Sequence, residues 1–415
     1  MMNKKIELLS PAGDLEKLKI AITYGADAVY MGGKSLGLRA KAKNFDMNEM
    51  AEGIAFAHKH NAKIYITANI FAHEEDFEGA AEYFKELYQM GVDALIISDP
   101  GLFSIARNAV PDMDIHISTQ SNNTNFQTAL FWKNLGAQRV VLARELSFDE
   151  INSIHSKMNK IDKDFELEAF VHGAMCISYS GRCLLSNYMT GRDSNRGECA
   201  HPCRWQYYLM EEKRPGEYMP VYEDERGTYI YNSKDLCMIG HIPELVESGI
   251  RSFKIEGRMK TSYYVAAVTK AYREAIDDYF EDKEKYLAKK PYYLRELEKS
   301  SHRDFTTGFY FNKPGAAEQI YTNNSYIRNY DFVALIEEFD KETGLAYGEQ
   351  RNKFSVGDEV EIFNPKGENF KQKITEIYNE EGEPLKEAPH PKQKLKIKLD
   401  HKVEKFSMLR KATES

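Results

Sequence analysis

Short apolar runs alternate with amphipathic stretches through the first 260 residues of the chain. The runs are rich in β-branched and aromatic residues: IELLS from Ile6, ADAVYMG from Ala26, AKIYITANI from Ala62, DALIIS from Asp93, DIHIST from Asp114, QRVVLA from Gln138, FELEAFVHG from Phe165 and RSFKIEG from Arg251. Between them, LEKLKIAITYGA and FEGAAEYFKELYQMG carry apolar residues at helical spacing and run up to a glycine, as an amphipathic helix and its terminus do. LSFDEINSIHSK adds a helix start, Ser147 with Glu150 three residues on. Eight strand candidates, mostly one helix apart, predict parallel pairing through right-handed crossovers. Eight also closes a barrel. The alternative is an open doubly wound sheet, but no G-x-G-x-x-G follows the first strand, so the expectation is an α/β fold of the (β/α)8 barrel type.

The seventh and eighth candidates stand farther apart than one helix requires. FVHG ends at Gly173 and RSFKIEG begins at Arg251, leaving an insert, residues 174–250, of about 77 residues. In a barrel this insert emerges at the C-terminal face, where active sites sit. The helical pattern YYVAAVTKAYREAIDDYF then completes a barrel spanning 1–280, and the charged, Tyr-rich stretch 281–329 reads as a connector. From 330 to 415 the pattern changes to short strands with turn signals (DFVALIEEF, GLAYGEQ, GDEVEIFN, FKQKITEIYN, KQKLKIKL), which predict a small antiparallel β-barrel domain.

Composition changes this picture little. Hydrophobic residues at 42% and charged residues at 29% of 415 fit an ordinary globular protein. Glu7 and Asp14 interrupt any leader-like apolar run, and no stretch has the roughly 18 apolar residues of a membrane span. A cytoplasmic location without a membrane partner is expected. A net charge of −8 argues against nucleic-acid binding by bulk charge and leaves only a local basic patch for that role.

The cysteines change it more. All five lie in the insert, spaced Cys176-x6-Cys183-x15-Cys199-x3-Cys203-x33-Cys237. In a reducing compartment such clustering points to metal or catalysis rather than disulfides. Structural zinc favours pairs two to four residues apart, and only Cys199 and Cys203 fit. Wide, irregular gaps suit an iron–sulfur cluster, with zinc the alternative and one thiol spare. Arg182, Arg192, Arg196 and Arg204 lie among the thiols, where cations would tune an anionic cluster.

Strand ends on the expected catalytic face supply a second set. His116, Gln120, Arg144, Glu145, His172, Lys254 and Glu256 are the candidate catalytic residues; Asn69 and Arg258, with Arg39 and Lys41 beyond the second strand, are candidates for binding an anionic substrate. Ser10, Asp99 and Lys43 share the rim. Gly33-Lys34-Ser35-Leu36-Gly37 matches a nucleophile elbow only formally, because no helix follows at once. In the last domain Lys392, Lys394, Lys396 and Lys398 alternate with Gln393, Leu395, Ile397 and Leu399, placing four ammonium groups on one strand face. Residues 391–411 hold eight basic and two acidic side chains, enough either to hold a phosphate backbone or to blunt a sheet edge.

The segment ELEAFVHGAMCISYSGRCLLS, Glu166 to Ser186, resembles the signature of peptidase family U-thirty-two, the collagenase-like proteases. ELLSPAGDLEKLKIAITYGADAVYMGG, HISTQSN, NSKDLCMI, FKIEGRMK and HRDFTTGFYF are similar to further family blocks, so the resemblance covers essentially the whole chain. It implies an oxygen-independent hydroxylation protein with a 4Fe–4S iron–sulfur cluster, most similar to the branch that converts tRNA wobble uridine to 5-hydroxyuridine. The resemblance further implies tRNA and the small dicarboxylate prephenate as partners, and a paralogous family subunit as another. On the family motif, Cys176, Cys183, Cys199 and Cys237 fall on the cluster ligands, with Cys203 the alternative to Cys237. The resemblance assigns no residue to prephenate. A peptidase and a cluster-binding partner subunit remain the other readings.

Overall fold

The computed structural model describes residues 6–33, 36–37, 44–175, 183–192, 194, 198–205, 232–312, 319–320 and 327–413. Every apolar run singled out above becomes a strand: β1 (Glu7–Pro11), β2 (Ala28–Gly32), β3 (Lys63–Ala68), β4 (Ala94–Ile97), β5 (Asp114–Ile117), β6 (Arg139–Val141), β7 (Glu166–Ala174) and β8 (Ser252–Ile255). Neighbours pair in parallel, and β8 pairs with both β7 and β1, closing an eight-stranded parallel barrel. The helices between strands are α1 (Leu15–Thr23), α2 (Met47–Lys59), α3 (Ala80–Gln89), α4 (Pro100–Ala109), α5 (Phe126–Asn134) and α6 (Phe148–Met158). Their starts are written locally. Asp46 with Glu49 and Ser147 with Glu150 form capping boxes, and the Asp99 carboxylate accepts from Gly101 N and Leu102 N at 2.8 and 3.0 Å. Asp99, on the rim set, thus caps α4. Ser10 is likewise buried, with its hydroxyl 2.8 Å from that of Thr269.

The segment between β7 and β8 contains α7 (Leu185–Thr190) and returns through a strand, Asp235–Cys237, that pairs antiparallel with the end of β7. Its last part, α8 (Ile242–Glu247), is the crossover helix into β8, so the insertion proper sits between β7 and α8. After β8, α9 (Ser262–Glu281) matches the expected closing helix. The connector departs from expectation: 283–298 is a helix, α10 (Lys283–Glu298), although Pro291 lies inside it. Tyr286 and Tyr293 hold it in place. Tyr286 Oη donates to Ile239 O at 2.8 Å, and Tyr293 Oη to Asp278 at 2.5 Å.

The C-terminal domain is an eight-stranded antiparallel sheet running from Phe370–Lys373 to Pro384–Leu385 in pairing order. Among the described residues those two edges do not pair, so the small antiparallel β-barrel domain expected takes the form of a half-barrel. It curls around its own core of Val333, Ile336, Val360, Ile362, Ile397 and Leu409. A separate apolar cluster, including Ile20, Tyr24, Ala267, Leu335, Phe363 and Met408, joins it to α1 and α9. At that junction the fully buried Arg410 guanidinium bonds Glu296 at 2.7 Å, Glu361 at 2.8 Å and Tyr263 at 3.1 Å.

Candidate functional site

Inside the barrel, strand alternation points one side chain in every two toward the axis, and these stack in layers. The lowest layer, from the first residues of β1, β6, β7 and β8, is ionic. Arg139 meets Glu7 at 2.6 Å, Glu166 at 2.6 Å and Glu168 at 2.9 Å, and Ser252 and Tyr65 donate to Glu7 at 2.8 and 2.6 Å. Burial works against the charge of Arg139, but Glu7 and Glu168 outweigh it and raise its pKa well above the ordinary value. Above lies a mixed layer with Tyr30, Tyr65, His116 and Lys254. Lys254 Nζ donates to the fully buried Glu168 at 2.7 Å and sits 4.6 Å from the centre of the Tyr30 ring.

The top of the barrel is open. A cavity of about 930 Å³ reaches down to Tyr30, Ile96 and Lys254, and its walls come from residues just past the strand ends. Asn69 follows β3, Gln120 follows β5, Arg144 follows β6, and Glu256 with Arg258 follows β8; all five line it. Asn69 Nδ2 donates to Gln120 Oε1 at 2.9 Å. Arg144 donates to Glu256 at 2.9 Å and to Ala174 O at 3.1 Å, with its guanidinium 3.8 Å over the Phe170 ring. Arg258, 5% exposed, donates to Thr67 Oγ1 at 3.1 Å. Two glycines admit it: a side chain at Gly32 would meet Arg258 Nη1 at 2.5 Å, and one at Gly13 would collide with the Arg258 carbonyl.

Three thiols, Cys183, Cys199 and Cys203, stand on one wall of this cavity, and none of the four described cysteines is in a disulfide. The backbone there is held in an unusual form. His201 has φ 57°, which directs its N–H toward Cys199 Sγ at 3.4 Å, while Ser186 Oγ accepts from Ala200 N at 2.9 Å and Arg192 donates to Cys199 O at 3.3 Å. Thiols sharing a wall, with an N–H aimed at a sulfur, fit a metal–sulfur group in kind. Among the described residues, no three His, Cys, Asp or Glu side chains converge as a metal site. Cys237 does not itself line the cavity: it is buried opposite His172 in the β7 pairing, on a strand that also pairs with the cavity residue Ala174, and burial pushes its thiol up to about 12.

The sequence candidates therefore separate. Asn69, Gln120, Arg144, Lys254, Glu256, Arg258 and Lys392 meet in one cavity. His116 and His172 do not line it. His116 is buried edge-on to Tyr65, and burial together with Arg139 and Lys254 holds its pKa well below the ordinary value. His172 packs among Tyr264, Tyr272 and Phe305, and burial pushes it down to about 3. Both are neutral rings at physiological pH. Glu145 also lies off the cavity wall. Of the lysine stripe, Lys394 pairs with Glu337 at 2.6 Å, Lys398 donates to Thr343 O at 2.5 Å and Lys396 sits 5.8 Å over Tyr347. Cys176, Arg39, Lys41, Lys43 and Ser35 lie outside the described residues.

Several further cavity residues are not among the sequence candidates. Thr67 sits inside an apolar run, and Arg328 and Arg351 come from the C-terminal domain, whose fold over the barrel mouth no local pattern reveals. Alternation along β3 would have marked Thr67 as inward-facing; nothing comparable exists for the other two.

Comparison with known proteins matches residues 13–320 to Peptidase family U32 and residues 328–410 to the Peptidase family U32 C-terminal domain. The chain is 46% identical to tRNA hydroxylation protein P1 of Bacillus subtilis over 99% of this chain and 96% of that protein. It is 38% identical to tRNA hydroxylation protein P of Escherichia coli, over 93% of this chain and 92% of that one. A crystal structure of the C-terminal domain of a U32 peptidase from Geobacillus thermoleovorans is 44% identical, covering 20% of this chain and 99% of that chain with a TM-score of 0.19.

Proposed function

The chain belongs to peptidase family U32, C-terminal domain included, and on that premise we propose that it is a tRNA-hydroxylating enzyme acting on a base drawn into the barrel-mouth cavity. The substrate atom is C5 of the wobble uridine, the product 5-hydroxyuridine, and the reaction is oxygen-independent with prephenate as co-substrate. One observation carries this reading: a single cavity of about 930 Å³ joins the thiol wall, the buried cations and the C-terminal domain. A 4Fe–4S cluster held by Cys176, Cys183, Cys199 and either Cys237 or Cys203 supplies redox and Lewis-acid chemistry when bound.

The remaining work belongs to side chains. A tRNA base has to leave its stack to reach a barrel interior, and the cavity is of the size that holds small ligands. Lys254 and Arg258 lie deep in it, where positive charge is little screened and a dicarboxylate is held most strongly. Phe170, backed by the Arg144 guanidinium, offers a face for stacking. Asn69 and Gln120 bring amide groups to the edge of an inserted base. The peptidase reading rests on Ser35, which lies outside the described residues.

Deleting the gene from its host and measuring tRNA nucleosides by mass spectrometry tests the proposal. Loss of 5-hydroxyuridine-derived nucleosides, restored by the intact gene, is expected. Undiminished levels in a host without a paralogue would sink it. Anaerobic purification with iron and sulfide analysis tests the cluster separately, and zinc or no metal would remove that part.

A further inference from the structure

Among the described lining residues, the cavity carries eight Lys or Arg side chains against four Asp or Glu, while the whole chain has a net charge of −8. Most of these cations are already engaged. Arg144 bonds Glu256, Lys254 bonds Glu168, Lys17 pairs with Asp14 at 3.2 Å, and Arg351 pairs with Glu16 at 2.6 Å. Two are not. Arg328 and Lys392 are exposed, and among the described residues neither side chain makes a hydrogen bond or ion pair. Both belong to the C-terminal domain at the cavity mouth. Their backbones are fixed: Arg328 O accepts from Thr413 Oγ1 at 3.1 Å, and Lys392 N donates to Gln350 O at 3.0 Å. Lys392 is held at φ 62°, a conformation unfavourable for lysine, two residues before the strand Lys394–Lys398.

We propose that Arg328 and Lys392 bind the phosphate backbone of the RNA strand flanking the inserted nucleotide, so that the C-terminal domain acts as a clamp at the mouth. This rests on the reading of tRNA as substrate. Two cations without a side-chain partner among the described residues, on hydrogen-bonded backbone at the rim of a cavity large enough to admit a base, suit the charges that accompany that base into the site. On the 394–398 strand, Lys394 and Lys398 have partners within the sheet and Lys396 does not line the cavity, so these three contribute little.

Fluorescence anisotropy of labelled tRNA with the anaerobically purified full chain, over a series of salt concentrations, tests the assignment. The variant is Arg328→Gln with Lys392→Asn, asparagine being chosen because it tolerates positive φ. Binding about tenfold weaker, with the slope of log K against log salt reduced by about 1.4 for two lost single-strand contacts, is the expected result. Wild-type binding retained at an unchanged slope would overturn the clamp alone. No tRNA binding by the wild-type chain would overturn the RNA reading, and the clamp with it. Thermal unfolding of the variant at the wild-type temperature shows that any loss is not a folding defect.

Discussion

At the N-terminal end of the barrel, Arg139 satisfies three carboxylates within 2.9 Å, and those side chains also take the hydroxyls of Tyr65 and Ser252. At the C-terminal end, Asn69, Gln120, Arg258 and the thiols face a cavity. Both ends are polar and both are built on the same eight strands. The lower end closes its charges on each other, whereas the upper-end groups, though also bonded among themselves, line a cavity. Polar residues pointing into a barrel are therefore not equivalent. Depth along the strand decides whether one is a structural member or a ligand group.

Breaking the lower end should have the largest effect. Arg139→Ala leaves the largely enclosed Glu7 without its cation and Glu168 with Lys254 alone, and losing one partner of a buried ionic network costs about 3–5 kcal/mol. Urea unfolding should show that loss as a lower midpoint. A change below about 1 kcal/mol would mean that water or a rearranged carboxylate replaces the guanidinium, and the two ends would no longer differ in kind.

Lys254 sits at the border, touching Glu168 below and the cavity above. Lys254→Met keeps the apolar stem over Tyr30 and removes one charged hydrogen bond from a carboxylate that still has Arg139. The expected cost is about 1.5–3 kcal/mol, less than for Arg139→Ala. Equal costs for the two variants would place Lys254 wholly in the structural layer.

How far the sequence reached follows the same division. The eight strands were legible because a parallel barrel buries both faces of each strand, which forces short continuous apolar runs set between helical patterns. The helix α10 was not, since its composition is charged and includes Pro291, and what fixes it is Tyr286 and Tyr293 bonding groups remote in sequence. His116 and His172 read as catalytic from their type and place at strand ends, but one-dimensional alternation shows inward from outward without showing depth. Gln120 and Asn69 look no different in sequence, yet lie higher and meet the cavity. The lysine stripe was placed on one strand face with Leu395 and Ile397 buried behind it; Glu337 and Thr343, which occupy two of its ammonium groups, come from a hairpin some fifty residues earlier.

Acid should expose the lower end gradually. His116 is neutral in the fold and takes up a proton on unfolding, so stability present above its ordinary value of 6.5 is lost as pH falls below it. Glu7 follows: burial raises it, Arg139 and its hydrogen bonds pull it below the ordinary 4.5, and its contribution disappears only as pH falls through that lower range. In His116→Gln, the dependence of unfolding free energy on pH between about 6 and 5 should be shallower by about 1.4 kcal/mol per unit, one proton's worth. Denaturant titrations at several pH values measure it. An unchanged slope would mean that His116 already binds its proton in the fold, and that the layer is less closed than its burial implies.

The smallest expected effect repeats the contrast on the C-terminal domain. Lys396 projects from the outer face of its strand and has only the Tyr347 ring nearby, at 5.8 Å, so it is neither part of an ionic layer nor on the cavity wall. Lys396→Gln should change stability by less than about 0.5 kcal/mol, as surface substitutions away from buried networks usually do. It should also change tRNA affinity less than about twofold, because one distant charge is largely screened at physiological salt. The same salt series used for Arg328 and Lys392 measures it. A loss as large as theirs would show that the RNA path crosses the sheet face, and that the whole lysine strand, rather than the cavity rim alone, holds the phosphate backbone.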